Sequence, residues 1–431
     1  MLGRFNRHQD LVKSILTLFT GSAIAQAIPL LVSPLLTRLY SVEDFATLTI
    51  ITTFISLVGV VVTGRYEFAV GLPSQDQDGK RLVQLAALIT VAIASFVLLV
   101  LVFTRDTIAQ LIDFPSSSYY LFAVPVAALF YGGYQAYSFW QIRRRNYVVI
   151  SGSRISQSLT NSAFSLGLYF TGWGINGLVI GNVLGHFAAF LFAFSSTAGR
   201  LSEFLLQPLK GLRDVANRYA DMPRVNSIHA LSDVGQSTAI VLMITGFFGS
   251  VSTGLYGLTM RILQAPLNML GNSLAMVFYK EVAEKTNNRL MISKLLLSTM
   301  KTLFLISLPI FAVLMFFGPS LFALVFGEEW RDAGHYAQIM SPWLLLNFIA
   351  SPLSNLPIIL GKQRAFFAYS VVGNGAVILS LAVSGWFFED ISSGLVVLSI
   401  TQCLFQLAMI LFFLGIAKEA DRKHHSESPG E

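Results

Sequence analysis

The chain has 431 residues, of which 54% are apolar and only 12% charged, where a soluble globular chain carries about a quarter charged. That shortage excludes an ordinary water-facing surface, and a mean hydropathy of +0.65 spreads the apolar residues beyond any single core, so the bilayer is the expected solvent. The net charge of +6 sits in short clusters between apolar runs, a pattern of membrane orientation and not of a nucleic-acid partner. The single Cys403, inside an apolar span, excludes a disulfide within the chain and any cysteine-based metal site; it reads as a small buried hydrophobe.

Arg4, Arg7 and Lys13 precede an apolar run containing Ala25, Gln26 and Ala27, which raises the question of a cleaved signal peptide. The run continues to Leu36, longer than a signal h-region, so it is expected to stay as the first span. Windows of about 20 apolar residues then predict helices over 12–36, 43–64, 82–103, 117–140, 148–170, 175–197, 226–248, 252–279, 295–317, 335–360, 365–387 and 393–416. Connections after even-numbered spans carry Arg65, Lys80 and Arg81, then Arg143, Arg144 and Arg145, then Arg200, Lys210, Arg213, Arg218 and Arg224, and later Lys280, Lys285, Arg289, Lys294, Lys362 and Arg364. Connections after odd-numbered spans hold only Arg38, Arg105 and Arg331, and carry the acids Glu43, Asp44, Asp106, Asp113, Glu328, Glu329, Asp332, Glu389 and Asp390. By the positive-inside rule both termini are cytoplasmic and the span count is even.

The longest polar connection divides the chain into a six-helix bundle over 1–198, a cytoplasmic linker over 199–225, a second bundle over 226–417 and a cytoplasmic tail over 418–431. Phe45-Ala46-Thr47-Leu48-Thr49 opens the second span much as Gly254-Leu255-Tyr256-Gly257-Leu258-Thr259 opens the eighth, and Gln141-Ile142-Arg143 parallels Gly361-Lys362-Gln363-Arg364. These fragments point to an internal duplication with its symmetry axis along the membrane normal. No phosphate-binding loop, His/Glu metal motif or dinucleotide turn is found, so neither a cofactor nor direct ATP hydrolysis is expected.

Several segments resemble Wzx-type oligosaccharide flippases of the polysaccharide-transport family, in the superfamily that also holds lipid II flippases and multidrug antiporters. In the first half they are Pro34-Leu35-Leu36-Thr37-Arg38-Leu39-Tyr40, Arg65-Tyr66-Glu67-Phe68-Ala69-Val70-Gly71-Leu72-Pro73 and Gly177-Leu178-Val179-Ile180-Gly181. In the second half they are Phe248-Gly249-Ser250, Gly254-Leu255-Tyr256, Arg261-Ile262-Leu263-Gln264-Ala265-Pro266, Val277-Phe278-Tyr279 and Phe326-Gly327-Glu328-Glu329-Trp330 followed by Ala333-Gly334. The resemblance implies an all-α polytopic membrane protein, two six-helix bundles around a central cavity, working by alternating access in a bacterial inner membrane. It implies transfer of an undecaprenyl-pyrophosphate-linked sugar repeat from cytoplasmic to periplasmic leaflet without making or breaking a covalent bond, beside a glycan polymerase machinery. A multidrug or cation antiporter is the rival, disfavoured because the first span has no acidic residue between Leu11 and Leu39. A membrane-bound glycan polymerase or ligase would need a large periplasmic loop, and none of the outer connections is long.

Charges inside spans are costly and mark candidate sites. Arg261 lies about nine residues into the eighth span, roughly 14 Å deep; a guanidinium there suits a pyrophosphate, and a structural ion pair is the alternative. Arg65, closing the second span, reads equally as a cytoplasmic anchor or a cavity ligand, and Glu67, two residues on, is expected to point elsewhere on a helix; if the span runs on toward Pro73, both face the inner mouth of the cavity, and Glu67 is with His229 and Asp233 a candidate for coupling. Arg154 with Gln157 and Asn161 forms a polar stripe on the fifth span, expected to face a cavity.

His229 and Asp233 share one face of the seventh span with Gln236 beyond them, either a proton-carrying pair or a buried hydrogen-bonded one, and Asp233 departs from the resembled pattern. His186 is expected to be a satisfied packing histidine. Arg38 and Trp330 read as interfacial anchors, and Gly177, Gly181 and Gly185 as a close-packing stripe. The aromatic series Tyr119, Tyr120, Tyr131, Tyr134, Tyr137 and Trp140 offers surfaces for sugars, with its ends at membrane interfaces. His424 and His425 in the polar tail are a weak metal signal.

Single cysteines at Glu43, Asp113 and Glu329 are expected to react with impermeant thiol reagents from the periplasm, and those at Arg144, Arg213 and Lys285 are not. Labelling of both groups from one side would contradict the twelve-span topology.

Overall fold

The computed structural model describes residues 2–114, 116–195, 211–287 and 291–426. All regular structure in them is helical, as a bilayer requires of backbone that must satisfy its own hydrogen bonds. The first helices are α1 (Leu2–Leu39), α2 (Val42–Val61), α3 (Asp76–Leu111), α4 (Ala123–Arg143), α5 (Tyr147–Phe170) and α6 (Asn176–Ser195). A short α7 (Leu212–Arg218) precedes α8 (Ser227–Asn287), α9 (Ile292–Phe326), α10 (Arg331–Ala350), α11 (Gln363–Phe387) and α12 (Ile391–Ser426). Among the described residues nine helices are long and apolar enough to cross a membrane. The tyrosines and glutamines of α4 and the serines of α5 keep those two below that mark, and Gly249 (φ 83°) breaks α8 into two spans. With these added, the described residues contain the expected twelve.

Several boundaries move for local reasons. α3 runs over 36 residues, about 54 Å at 1.5 Å per residue, so its polar first turns continue past the hydrocarbon. The tenth span ends as helical turns over Ser351–Asn355 and Leu356–Ile359, where Pro352 and Pro357 remove amide donors. Of the expected linker, residues 199–210 lie outside the described part; the remainder forms α7 and a π-helical turn over Met222–Asn226 that runs into α8.

Two compact units divide the chain, Met1–Gly254 and Leu255–Glu431. In the first, α2 starts with a reciprocal cap: Asp44 N–H donates to Ser41 Oγ (3.2 Å) and Ser41 N–H to Asp44 Oδ2 (3.0 Å). α1 lies against α5 through Gly21 over Ser151, with Ser151 and Ser158 donating to the carbonyls of Thr17 (2.9 Å) and Ala25 (2.6 Å). The glycine stripe works as expected. A Cβ on Gly181 would stand 2.9 Å from the Asn161 carbonyl oxygen and one on Gly185 3.0 Å from that of Gln157, so α6 lies directly on the α5 backbone. Arg38 is exposed and donates to the Pro34 carbonyl (3.1 Å), consistent with an anchor at the end of α1.

In the second unit, α9 and α10 cross at Gly318 and Gly334, where each glycine faces the other's backbone. Trp330 is not an interfacial anchor: it is fully buried, because the turn at Gly327 (φ 110°) folds its indole inward. Asp421 of α12 caps α9 from a distance, accepting from the amides of Ile292 (2.7 Å) and Ser293 (3.1 Å). Lys362 pairs with Glu419 (3.0 Å) beside it.

Gly181→Val is expected to lower the thermal stability of the protein in detergent by the equivalent of about 1–3 kcal/mol, because the carbonyl it meets is helix backbone that cannot yield. Gly167 has open space around its Cα, and Gly167→Ala should leave stability unchanged or raised; equal loss in both would refute the close-packing account.

Candidate functional site

The first unit gathers its buried charges where α2 ends. The helix stops at Val61, and Gly64 (φ 61°) and Arg65 (φ 60°) turn the chain left-handed into a 3-10 turn over Tyr66–Ala69. Glycine adopts this conformation freely, whereas a side-chain-bearing residue pays about 1–2 kcal/mol. The turn corrects the expectation for Glu67. Because Arg65 and Glu67 are not successive positions on one helix, their side chains converge, with Arg65 Nη1 4.0 Å from Glu67 Oε1.

Glu67 is 2% exposed and Arg65 14%. Thr63 Oγ1 donates to Glu67 Oε2 at 2.5 Å, and the Arg65 guanidinium lies 5.4 Å from the centre of the Phe68 ring. Arg65 Nε is buried, and among the described residues no acceptor meets it. Burial pushes the Glu67 carboxyl above the ordinary carboxylate range, opposed in decreasing order by the Thr63 hydroxyl, a backbone hydrogen bond and the Arg65 charge.

Side chains distant in sequence hold this turn. Arg143 Nη1 donates to the carbonyls of Val70 (3.2 Å) and Pro73 (2.7 Å), while its Nε and Nη2 reach Asp76 Oδ1 (3.1 and 2.9 Å). Arg144 approaches the same carboxylate at 3.5 Å, and Asp78 pairs with Arg81 (3.1 Å) and Arg218 of α7 (3.3 Å). Tyr66 donates to the Ala216 carbonyl. The cytoplasmic arginines expected from charge sorting are thus, in part, fasteners for the segment that carries Arg65 and Glu67.

A polar column continues within the same unit. Tyr131 of α4 lies over Gly59 of α2, feels the charges of Arg65 and Glu67, and accepts from Gln135 Nε2 at 2.9 Å. Its ring stands edge-on to His186 of α6, centroids 5.7 Å apart, and His186 Nδ1 shares a hydrogen bond with Gln157 of α5 (3.1 Å). His186 is therefore satisfied, as expected. Arg154 is exposed and donates to Ser22 Oγ of α1 at 2.5 Å. The stripe it begins is engaged within the unit: Arg154 with α1, Gln157 with α6, and Asn161 accepting from Ser165 one turn on along α5 itself (3.3 Å). The middle of the aromatic series serves packing more than sugar contact, since Tyr134, Tyr137 and Trp140 are buried and Tyr137 packs edge-on against Phe190 and Phe194.

In the second unit Arg261 lies 12 residues past the break at Gly249, about 18 Å along the helix and near mid-span. It is partly exposed, and among the described residues no carboxylate pairs with it. Asp233 is exposed on the first half of α8, and the His229 side chain lies outside the described residues. An uncharged cluster that had not been singled out from the sequence lies between α10 and α12. Gln406 Nε2 donates to Asn347 Oδ1 at 3.2 Å, Gln402 is buried, and the Trp343 indole N–H is buried without an acceptor among the described residues. Gln402 and Gln406, one turn apart in an apolar span, were its signal. Among the described residues no three His, Cys, Asp or Glu side chains gather as a metal site.

The family model described as a polysaccharide biosynthesis protein matches residues 35–335. No curated protein matches the chain. Its fold is that of solved transporters: an inward-facing multidrug resistance MATE family transporter of the MOP superfamily has a TM-score of 0.71 at 13% identity, covering 96% of both chains. The lipid II flippase MurJ, inward closed, has a TM-score of 0.69 at 12% identity, covering 97% of this chain and 94% of its own. A MOP superfamily transporter from Pyrococcus furiosus, with a binding pocket of reverse polarity, has a TM-score of 0.61 at 12% identity, covering 95% and 96%.

Arg143→Ala should speed amide hydrogen exchange across residues 66–76, and Arg143→Lys should restore it only in part, because an ammonium cannot span two carbonyls and a carboxylate at once. Exchange at the wild-type rate in the alanine variant would show that the turn holds itself.

Proposed function

The chain belongs to the polysaccharide biosynthesis protein family, and from that premise we propose that it is a flippase carrying an undecaprenyl-pyrophosphate-linked oligosaccharide repeat unit from the cytoplasmic to the periplasmic leaflet. The observation that carries this reading is Arg261, a guanidinium near mid-span with no carboxylate partner among the described residues. A permanent charge at that depth costs several kcal/mol, and an anion arriving in the cavity offsets that cost. A pyrophosphate suits it, presenting paired oxygens to a planar fork of donors. The fold shared with a lipid II flippase supports a lipid-linked cargo.

Transfer proceeds by alternating access and leaves every covalent bond intact. With the cell interior negative, outward movement of an anion is downhill by about 2.3 kcal/mol per charge per 100 mV, so the membrane potential can drive it. The protein sits in the bacterial inner membrane with both termini cytoplasmic and delivers its product to a glycan polymerase machinery. A multidrug antiporter of the same fold would need carboxylates to hold cations, and the first span has none between Leu11 and Leu39.

Arg261→Ala should abolish surface glycan while the protein remains in the membrane, and Arg261→Lys should retain part of the export, having the charge without the fork. Full glycan export by a stably inserted Arg261→Ala protein would overturn the proposal.

A further inference from the structure

The turn after α2 holds a cation and an anion whose pairing is loose and leaves the cation incompletely met. Arg65 has left-handed backbone, a buried Nε without an acceptor among the described residues, and a carboxylate only at 4.0 Å. Glu67, almost wholly buried, accepts from the Thr63 hydroxyl and from a backbone amide but makes no close bond to the guanidinium. An ion pair kept purely for stability would close to about 2.8 Å with two parallel bonds; this one is loose and incomplete. We propose that Glu67 stands in for a substrate phosphate at Arg65: it holds the guanidinium in the empty protein and gives it up to an incoming phosphate by taking a proton. The proposal rests on the flippase reading and adds to it that phosphate binding at Arg65 and proton binding at Glu67 are linked.

The surroundings permit such an exchange. On its own turn Glu67 faces Arg65, with Tyr66 beside it. α4 brings Tyr131, which feels both charges, and Tyr134, while Arg143 is engaged with Val70, Pro73 and Asp76. α3 meets the turn through the apolar Ile89, against Gly64. From the π-helical turn, Arg224 acts on Tyr66. Arg65 is thus the single cation set directly against the carboxylate among the described residues. Burial already favours the protonated carboxyl, and drawing Arg65 away removes one of the influences opposing it. By reciprocity, whatever proton uptake follows phosphate binding must appear as tighter phosphate binding at lower pH.

The test uses the purified full-length protein and farnesyl pyrophosphate, a short prenyl pyrophosphate, with affinity followed from acid to alkaline pH and proton uptake read by an indicator dye in weak buffer. Wild type should bind roughly tenfold more weakly at the alkaline end, beyond the slope of the probe's own titration, and take up protons on binding. Glu67→Gln should bind tightly throughout with no slope beyond the probe's and no uptake of its own. Thr63→Val, which loses the donor that favours the charged carboxylate, should move the midpoint of the pH response upward. A Glu67→Gln protein with the wild-type slope and uptake, or an unmoved midpoint in Thr63→Val, would overturn the proposal while leaving the flippase reading intact. Failure of wild type to bind the probe at any pH would overturn both.

Discussion

A hydrocarbon interior offers no hydrogen bonds, so every polar group taken into it must find a partner in the protein. The helices answer this for the backbone, and along α2 the side chains answer it for themselves. Thr47, Thr49, Thr52 and Ser56 each donate to the carbonyl four residues earlier. Where proline interrupts α1, Ser33 and Thr37 donate to the carbonyls of Pro29 and Pro34. Small residues then let helices approach until backbone touches side chain, as at Gly21, or backbone itself, as at Gly181 and Gly334. With so much of the polar inventory closed off, the groups left incompletely satisfied stand out as sites.

The two units differ in what they leave open. The first contains titratable chemistry: a buried carboxylate, an arginine in a costly conformation, and a tyrosine and histidine that extend the column away from them. The second contains neutral amides between α10 and α12, an indole N–H without an acceptor among the described residues, and the fixed charge of Arg261. The first unit thus sets a buried carboxylate against an arginine, while the second holds Arg261 with no carboxylate paired to it among the described residues.

Much of this was legible in the sequence because hydropathy and glycine spacing report directly on burial. Twelve spans, the Gly177–Gly181–Gly185 contact and a satisfied His186 follow from those signals. The relation of Arg65 to Glu67 does not. It depends on a backbone reversal at Gly64 that no apolar pattern encodes, and a helix drawn through that point sends the two side chains apart. The inward Trp330 depends likewise on the φ of Gly327. Arg143 finds its carboxylate 67 residues away, a pairing that charge sorting reads only as cytoplasmic excess. The amide cluster of the second unit needed two helices to be brought together before either half meant anything.

The cap on α9 has a consequence in time. Its amides at Ile292 and Ser293 are met by Asp421, 129 and 128 residues later in the chain. During synthesis α9 enters the membrane well before Asp421 leaves the ribosome, so its first turn must rely on water or lipid headgroups in the interval. The last helix therefore acts as a closing clasp, and a chain stopped short of Asp421 would insert its earlier spans yet never lock the first turn of α9.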